Sequence, residues 1–429
     1  MPLINYPPIN YPRMLRVSQK FDSSRLENIP QKIVAELDKI QIKSQIKPDA
    51  TVALMVGSRG ITDIVTVIKT IADELKKIGA KPFIIPSMGS HGGATASGQQ
   101  AILKHLGLTE ETVGIPIRST MEVIQVGEIS EFGTRFPVYV DQYAYEADHI
   151  VVINRIKPHT DFSGDFGSGW MKMMSIGLGN HRGALLYHRV IASYGYANVI
   201  KKIAQKVLDT GKILFCVGII ENAYGATADI GTASAKTLVQ TECELLKKAK
   251  KHVAHLPFEE VDLLIVDQMG KDISGSGMEP TVHGRLNCLS EPPLEKPKIK
   301  RIFVRDLTPG SEGNALGIGF ADFTTKRLVE KIDYQATYIN CITGMDPEDG
   351  RIPISFETDQ EAIDVALNTI GFIEPENTKV IWIKNTLCLE EIVVSQAYQK
   401  QLNDQDNLAM LEDLGQLKFN SQGNLSYGL

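Results

Sequence analysis

Short apolar runs alternate with amphipathic stretches along most of this chain, the order that builds an α/β fold. Residues 51–56, TVALMV, carry no polar position after Thr51 and predict a buried strand. GSRG then turns the chain, and Ile61, Ile64, Val65, Ile68, Ile71 and Leu75 recur every three or four residues, the stripe of a helix that Gly79 closes. Further strands are predicted over residues 82–85 and 149–156. After the second strand, SMGSHGGATASGQQ places Ser97 three residues before Gln100, a capping-box spacing for the helix AILKHL. Arg59, His91 and His159 therefore each follow a predicted strand. Open α/β sheets bind ligands beyond the carboxyl ends of their strands, so a shared crevice at these three ends is expected.

Downstream, residues 197–208 read as a helix, 213–220 as a strand leading into the turn-rich loop ENAYGATADIG, and 241–254 as a basic helix. The pattern restarts at VDLLIVD, residues 261–267, after a change of composition at His255, Leu256 and Pro257. This predicts a two-domain α/β protein. Residues 1–255 form a larger Rossmann-like N-terminal domain, and residues 258–389 a smaller mixed α/β C-terminal domain with strands at 302–304 and 380–383. Residues 390–429 form a helical stretch, 390–402, and a tail that pack back on the first domain. The site is expected in the cleft between the two domains.

Composition narrows the function. With 429 residues, 43% hydrophobic and 22% charged, the chain is ordinary globular material. A net charge of -6 argues against nucleic acid or a membrane surface as partner, and Lys247, Lys248, Lys250 and Lys251 read as one solvated helix face. No run approaches the roughly 20 apolar residues that span a bilayer, and the N-terminal sequence lacks the pattern of a secretory signal, so a cytoplasmic location is expected. Five cysteines scattered without CxxC spacing fit a reducing compartment and make a Cys-based zinc site improbable.

Candidate chemistry concentrates between Asn154 and Arg189, where His159, Lys172, His181 and His188 lie on Gly-rich sequence. Glycine is the residue of tight turns and of close backbone approach to a ligand, so the segment reads as a site. His91 in SHGG, His159 in KPHTDFSGDFGSG and His188 are the candidate functional histidines. His181, between Asn180 and Arg182, reads as a surface turn residue, and His105, His149, His252 and His255 as structural. HExxH is absent, so a histidine-based zinc site does not fit. Lys172, between Trp170 and two methionines, is either a desolvated nucleophile able to attach to a carbonyl or thiocarbonyl carbon or a snorkelling lysine at a helix edge; residue type alone leaves both open. His188 follows it by sixteen residues, so the two side chains meet only across a helix-turn-helix.

Taken together, these residues resemble the nickel-dependent lactate racemase family. GSH at His91, the Pro158–His159 pair with glycines running to Lys172, the sixteen-residue step to His188, Arg59 in the first strand-end loop, and Gln268 with Lys271 in VDQMGKD each match a motif of that family. The resemblance implies a nickel-pincer nucleotide, a pyridinium-3,5-bisthiocarboxylic acid mononucleotide that carries nickel, attached covalently through Lys172, with His188 as the protein's nickel ligand. It implies His91 and His159 as acid/base residues, Arg59 on the substrate carboxylate, and Gln268 and Lys271 completing the site. Gly92 and Gly93 would offer backbone N–H groups to the cofactor phosphate. The implied activity is racemisation or epimerisation at C2 of a small-molecule 2-hydroxy acid by hydride transfer, with cofactor-synthesis proteins as maturation partners.

The sequence departs from the family pattern at three points. His159 and Lys172 are thirteen residues apart, three more than in lactate racemase, with Asp165 and Phe166 in the longer loop; Met171 replaces a basic residue, and Gly92 stands where an arginine is expected. These changes point to a larger or more polar 2-hydroxy acid, with sugar acids and lactate both within the class. Two other readings stay open at this level: a nucleotide-dependent 2-hydroxy acid oxidoreductase, although GSRGIT lacks GxGxxG, and a non-catalytic nucleotide- or anion-binding protein.

Overall fold

The computed structural model describes residues 9–58, 60–131, 133–159, 164–288 and 291–426. The chain forms two compact units, Asp22–Val253 and a second made of residues up to Phe21 together with those from Ala254 onward.

In the first unit, strands Lys81–Pro86, Thr51–Val56, His149–Arg155, Ile213–Glu221 and Thr227–Ser234 lie side by side in that order. The first four run parallel and the fifth antiparallel. Leu54 pairs with Ile84 on one side and Val151 on the other. Such strands are apolar at nearly every position because both faces of a parallel sheet are covered. The helix Ile64–Lys77 buries Ile64, Val67, Ile68, Ile71, Ala72 and Leu75 in the core beside the sheet. Because the Thr51–Val56, Lys81–Pro86 and His149–Arg155 strands are adjacent and parallel, the segments after them emerge at the same end of the sheet.

The second unit holds an eight-stranded sheet in the order Ile354–Phe356, Phe323–Thr325, Lys298–Leu307, Glu260–Met269, Val380–Ile383, Glu391–Ser395, Arg13–Gln19, Leu408–Gln416. Its first five strands are parallel and the last three add antiparallel. Among the described residues no helix is long and apolar enough to cross a membrane.

Residues 9–21 do not belong with the larger unit, because Arg13–Gln19 pairs with Glu391–Ser395 and Leu408–Gln416. The segment from 390 onward is not one helical stretch with a tail, and it belongs to the second unit. It supplies two strands of the second unit's sheet, with a 3-10 turn, Gln396–Tyr398, and a short helix, Gln399–Asn403, between them, and the β-branched run Ile392, Val393, Val394 favours that outcome. ENAYGATADIG is only partly loop, since Thr227–Ser234 is the fifth strand, disguised by small and polar residues. The hairpin Val123–Glu131 and Thr134–Asp141 was not anticipated. Helix Ala96–His105 is capped by Thr95, whose extended backbone lets its hydroxyl accept the Gly98 N–H at 3.1 Å, and Ser97 lies inside the helix.

Candidate active site

The His159 loop leaves the strand His149–Arg155 and is closed at its base by two backbone bonds, Lys157 N–H to Ser168 O at 3.0 Å and Ser168 N–H to Lys157 O at 2.8 Å. Residues 160–163 of this loop lie outside the described residues. The chain then enters the helical turn Trp170–Lys172, widens into a π-helix over Met173–Gly177, and after a break at Gly179 continues as the helix Asn180–Tyr194. The helix-turn-helix expected between Lys172 and His188 is therefore a π-turn and a kink. π-Helical turns inside longer helices occur frequently at functional sites.

The kink has a specific fastening. Asn180 is buried with a positive φ of 49°, and its side-chain amide donates to Asp141 Oδ2 at 2.8 Å and to Thr120 O at 3.1 Å. Asp141 also accepts the Ala144 N–H at 3.0 Å. Burial pushes the Asp141 carboxyl up to about 6 against the pull of these hydrogen bonds.

Three of the candidate side chains fall on one path. The Lys172 amine is in hydrogen-bond contact with His159 Nε2. The His159 ring, only 4% exposed, packs against Tyr196 with centroids 5.2 Å apart, and Tyr196 meets His188 edge-on at 6.3 Å. Tyr196 opens the helix Tyr196–Leu208 and is itself buried. It was not picked out from the sequence, where a tyrosine after Gly195 looks like any helix start.

His91 is exposed on the loop after strand Lys81–Pro86. That loop is tied to the Lys172 segment, because Gly89 N–H donates to Gly177 O at 3.3 Å and a Cβ at Gly177 would come within 2.7 Å of Ser87 O. Fully buried Gln99 braces it, donating to Gly89 O at 3.0 Å and His91 O at 3.4 Å. Gly92 is required by packing, with φ 67° and the Gln99 backbone N 2.6 Å from where its Cβ would sit, whereas Gly93 faces open space among the described residues.

Arg59 lies outside the described residues, although nearby Thr62 is held by its N–H bond to Glu221 Oε1 at 2.7 Å. Gln268 and Lys271 belong to the second unit, at the end of strand Glu260–Met269 and in the turn after it. Gln268 N–H donates to Lys384 O at 3.0 Å, and the Lys271 amine to Gly275 O at 2.6 Å.

Among the described residues no group of three or more His, Cys, Asp or Glu side chains is placed to hold a metal ion. One half-buried imidazole, His188, joined through Tyr196 and His159 to a lysine amine fits a cofactor that carries its own donors and uses one protein ligand and one tether.

The fold and site define a two-unit α/β protein with lysine and histidine chemistry at the carboxyl ends of a parallel sheet. Residues 10–197 match the family model described as the lactate racemase N-terminal domain, which bears out the resemblance read from the sequence. The matched stretch contains Arg59, His91, His159, Lys172, His188 and Tyr196. Among solved structures, the lactate racemase apoprotein from Thermoanaerobacterium thermosaccharolyticum is 13% identical with a TM-score of 0.52, over 88% of this chain and 99% of that one. A Thermotoga maritima protein is likewise 13% identical, with a TM-score of 0.51 over 86% of this chain and 99% of its own. At these identities the likeness is one of fold. No curated protein matches the chain in sequence.

Proposed function

We propose that this protein is an isomerase that inverts the C2 centre of a 2-hydroxy acid through a planar 2-keto acid, using a nickel-pincer nucleotide tethered to Lys172. The observation that carries the reading is the path Lys172, His159, Tyr196, His188, which lies within the stretch matched as a lactate racemase domain. When bound, the cofactor supplies an acceptor and donor of hydride at C2. Lys172 would hold it, His188 would offer nickel an imidazole, and Gly92 and Gly93 would offer backbone N–H groups to its phosphate.

The remaining residues handle protons and charge. Inversion needs one acid/base group for each face of the keto acid, and His159 and His91 take these roles, each contributing about 10²- to 10⁴-fold. A neutral imidazole accepts the hydroxyl proton at its ring nitrogen on one face, and the other returns a proton on the opposite face. The burial of His159 keeps that nitrogen away from bulk water. Arg59 binds the carboxylate through its planar fork. The three extra residues between His159 and Lys172 favour a larger or more polar acid than lactate, a sugar acid being the leading class. Maturation draws on cofactor-synthesis proteins in the cytoplasm.

The test is a panel of single-enantiomer 2-hydroxy acids, lactate and aldonic acids included, offered to nickel-loaded protein. At least one is expected to lose optical purity, with the polar acids faster than lactate. Inversion of none would sink the proposal.

A further inference from the structure

Glu242 lies in the middle of the basic helix Leu238–His252 and is completely buried. The helix pattern explains how it gets there: Leu238, Glu242, Leu245, Leu246 and Ala249 form the buried stripe, so an acidic residue occupies an apolar-face position. Its Oε2 accepts the N–H of Met171 at 3.0 Å, across 71 residues of sequence, and the Trp170 N–H is also directed at it. The turn Trp170–Lys172 starts from Gly169, which offers no side-chain cap. The first N–H groups of a helix have no intrahelical partner and need an acceptor. The Glu242 carboxyl stands where a capping side chain would, and a Cβ on Gly169 would come within 2.2 Å of its Oε1. The missing side chain at 169 and the carboxyl at 242 are thus one fitted pair.

We propose that Glu242 is a positioning residue for Lys172, capping the Trp170–Lys172 turn from a distant helix and so fixing the direction in which the lysine amine is presented to His159. The cap stands on geometry alone, whereas the use made of Lys172 rests on the function proposed above. Burial pushes the carboxyl up to about 8, which suits an acceptor of backbone N–H bonds better than a counter-ion. Glutamine should therefore replace it and alanine should not.

The experiment compares full-length parent, Glu242→Gln, Glu242→Ala and Gly169→Ala, all without cofactor. Brief reductive methylation with formaldehyde, followed by peptide mapping, gives the labelling rate of Lys172 against the exposed Lys47 and Lys251. The proposal expects Glu242→Ala to change the Lys172 rate by about fivefold or more with Lys47 and Lys251 unaltered, and Glu242→Gln to stay within about twofold of the parent. A parental Lys172 rate in Glu242→Ala, or equal disturbance in the glutamine and alanine variants, overturns it. If Glu242→Ala does not fold, Gly169→Ala, which displaces the same carboxyl, is judged by the same rates. Intact mass after co-expression with the cofactor-making proteins is read alongside. An unmodified parent would count against the tether, while the labelling rates still decide the cap.

Discussion

The Tyr196 ring packs against the face of His159, whose Nε2 meets the Lys172 amine before any tether forms there. A buried imidazole with one ring face packed has few rotamers to sample, and a proton acceptor needs that restraint because small misplacements are expensive in rate. Tyr196→Phe keeps the packing surface and should leave the inversion rate within about threefold, while Tyr196→Ala should lower it by about tenfold or more. Equal rates in steady-state assays of the two variants would show that the ring is not what holds His159. His159→Ala and His91→Ala should each lose about 10²- to 10⁴-fold, and a variant retaining parental rate would remove that histidine from the acid/base pair. The histidines and the lysine were legible in the sequence because each is a reactive type in unusual company. Tyr196 and Glu242 were not. Their importance comes from what they touch, and the only hint for Glu242 was an acidic residue on the apolar stripe of a helix.

At the scale of elements, much of the glycine density between Asn154 and Arg189 serves packing within the protein. Cβ atoms at Gly179 and Gly183 would each lie 2.9 Å from the Tyr187 ring, and one at Gly167 would lie 2.3 Å from Lys157 O. The sequence reading took these glycines as signs of ligand approach, and it could not separate a ligand from a neighbouring tyrosine. The kink before His188 depends on Asp141 holding Asn180, and that carboxyl has a folded-state value of about 6 against an ordinary 3.8. A carboxyl raised by folding adds no penalty below its unfolded value and weakens the fold as pH climbs towards its folded value, here by at most about 3 kcal/mol. The melting temperature of Asp141→Asn relative to the parent should therefore rise between pH 4 and pH 6 and then level off. A difference independent of pH would refute this. Capping gives a second check. Thr95→Ala should cost about 1 kcal/mol in denaturant unfolding and Ser97→Ala well under that, whereas the reverse order would restore the capping box read from the sequence.

For the whole molecule, the parallel strands with their following loops were readable because period and apolar runs are local signals. Pairing between residues hundreds of positions apart is not local, which is why the strand Arg13–Gln19 was assigned to the wrong unit and Glu391–Ser395 was taken for a helix. The site followed the same division. Its reactive groups were named from residue type and company and their roles from the resemblance, and their supports, Gln99, Asp141 with Asn180, Tyr196 and Glu242, emerged only from the fold. The central claim is that Lys172 carries a nickel-bearing cofactor. It is tested most directly by measuring nickel content and intact mass of the full-length protein, and of Lys172→Ala, after expression with the cofactor-making proteins. The account predicts nickel and a discrete added mass on the parent, mapped to Lys172, and no added mass on Lys172→Ala. A parent protein that emerges unmodified and free of nickel would contradict it.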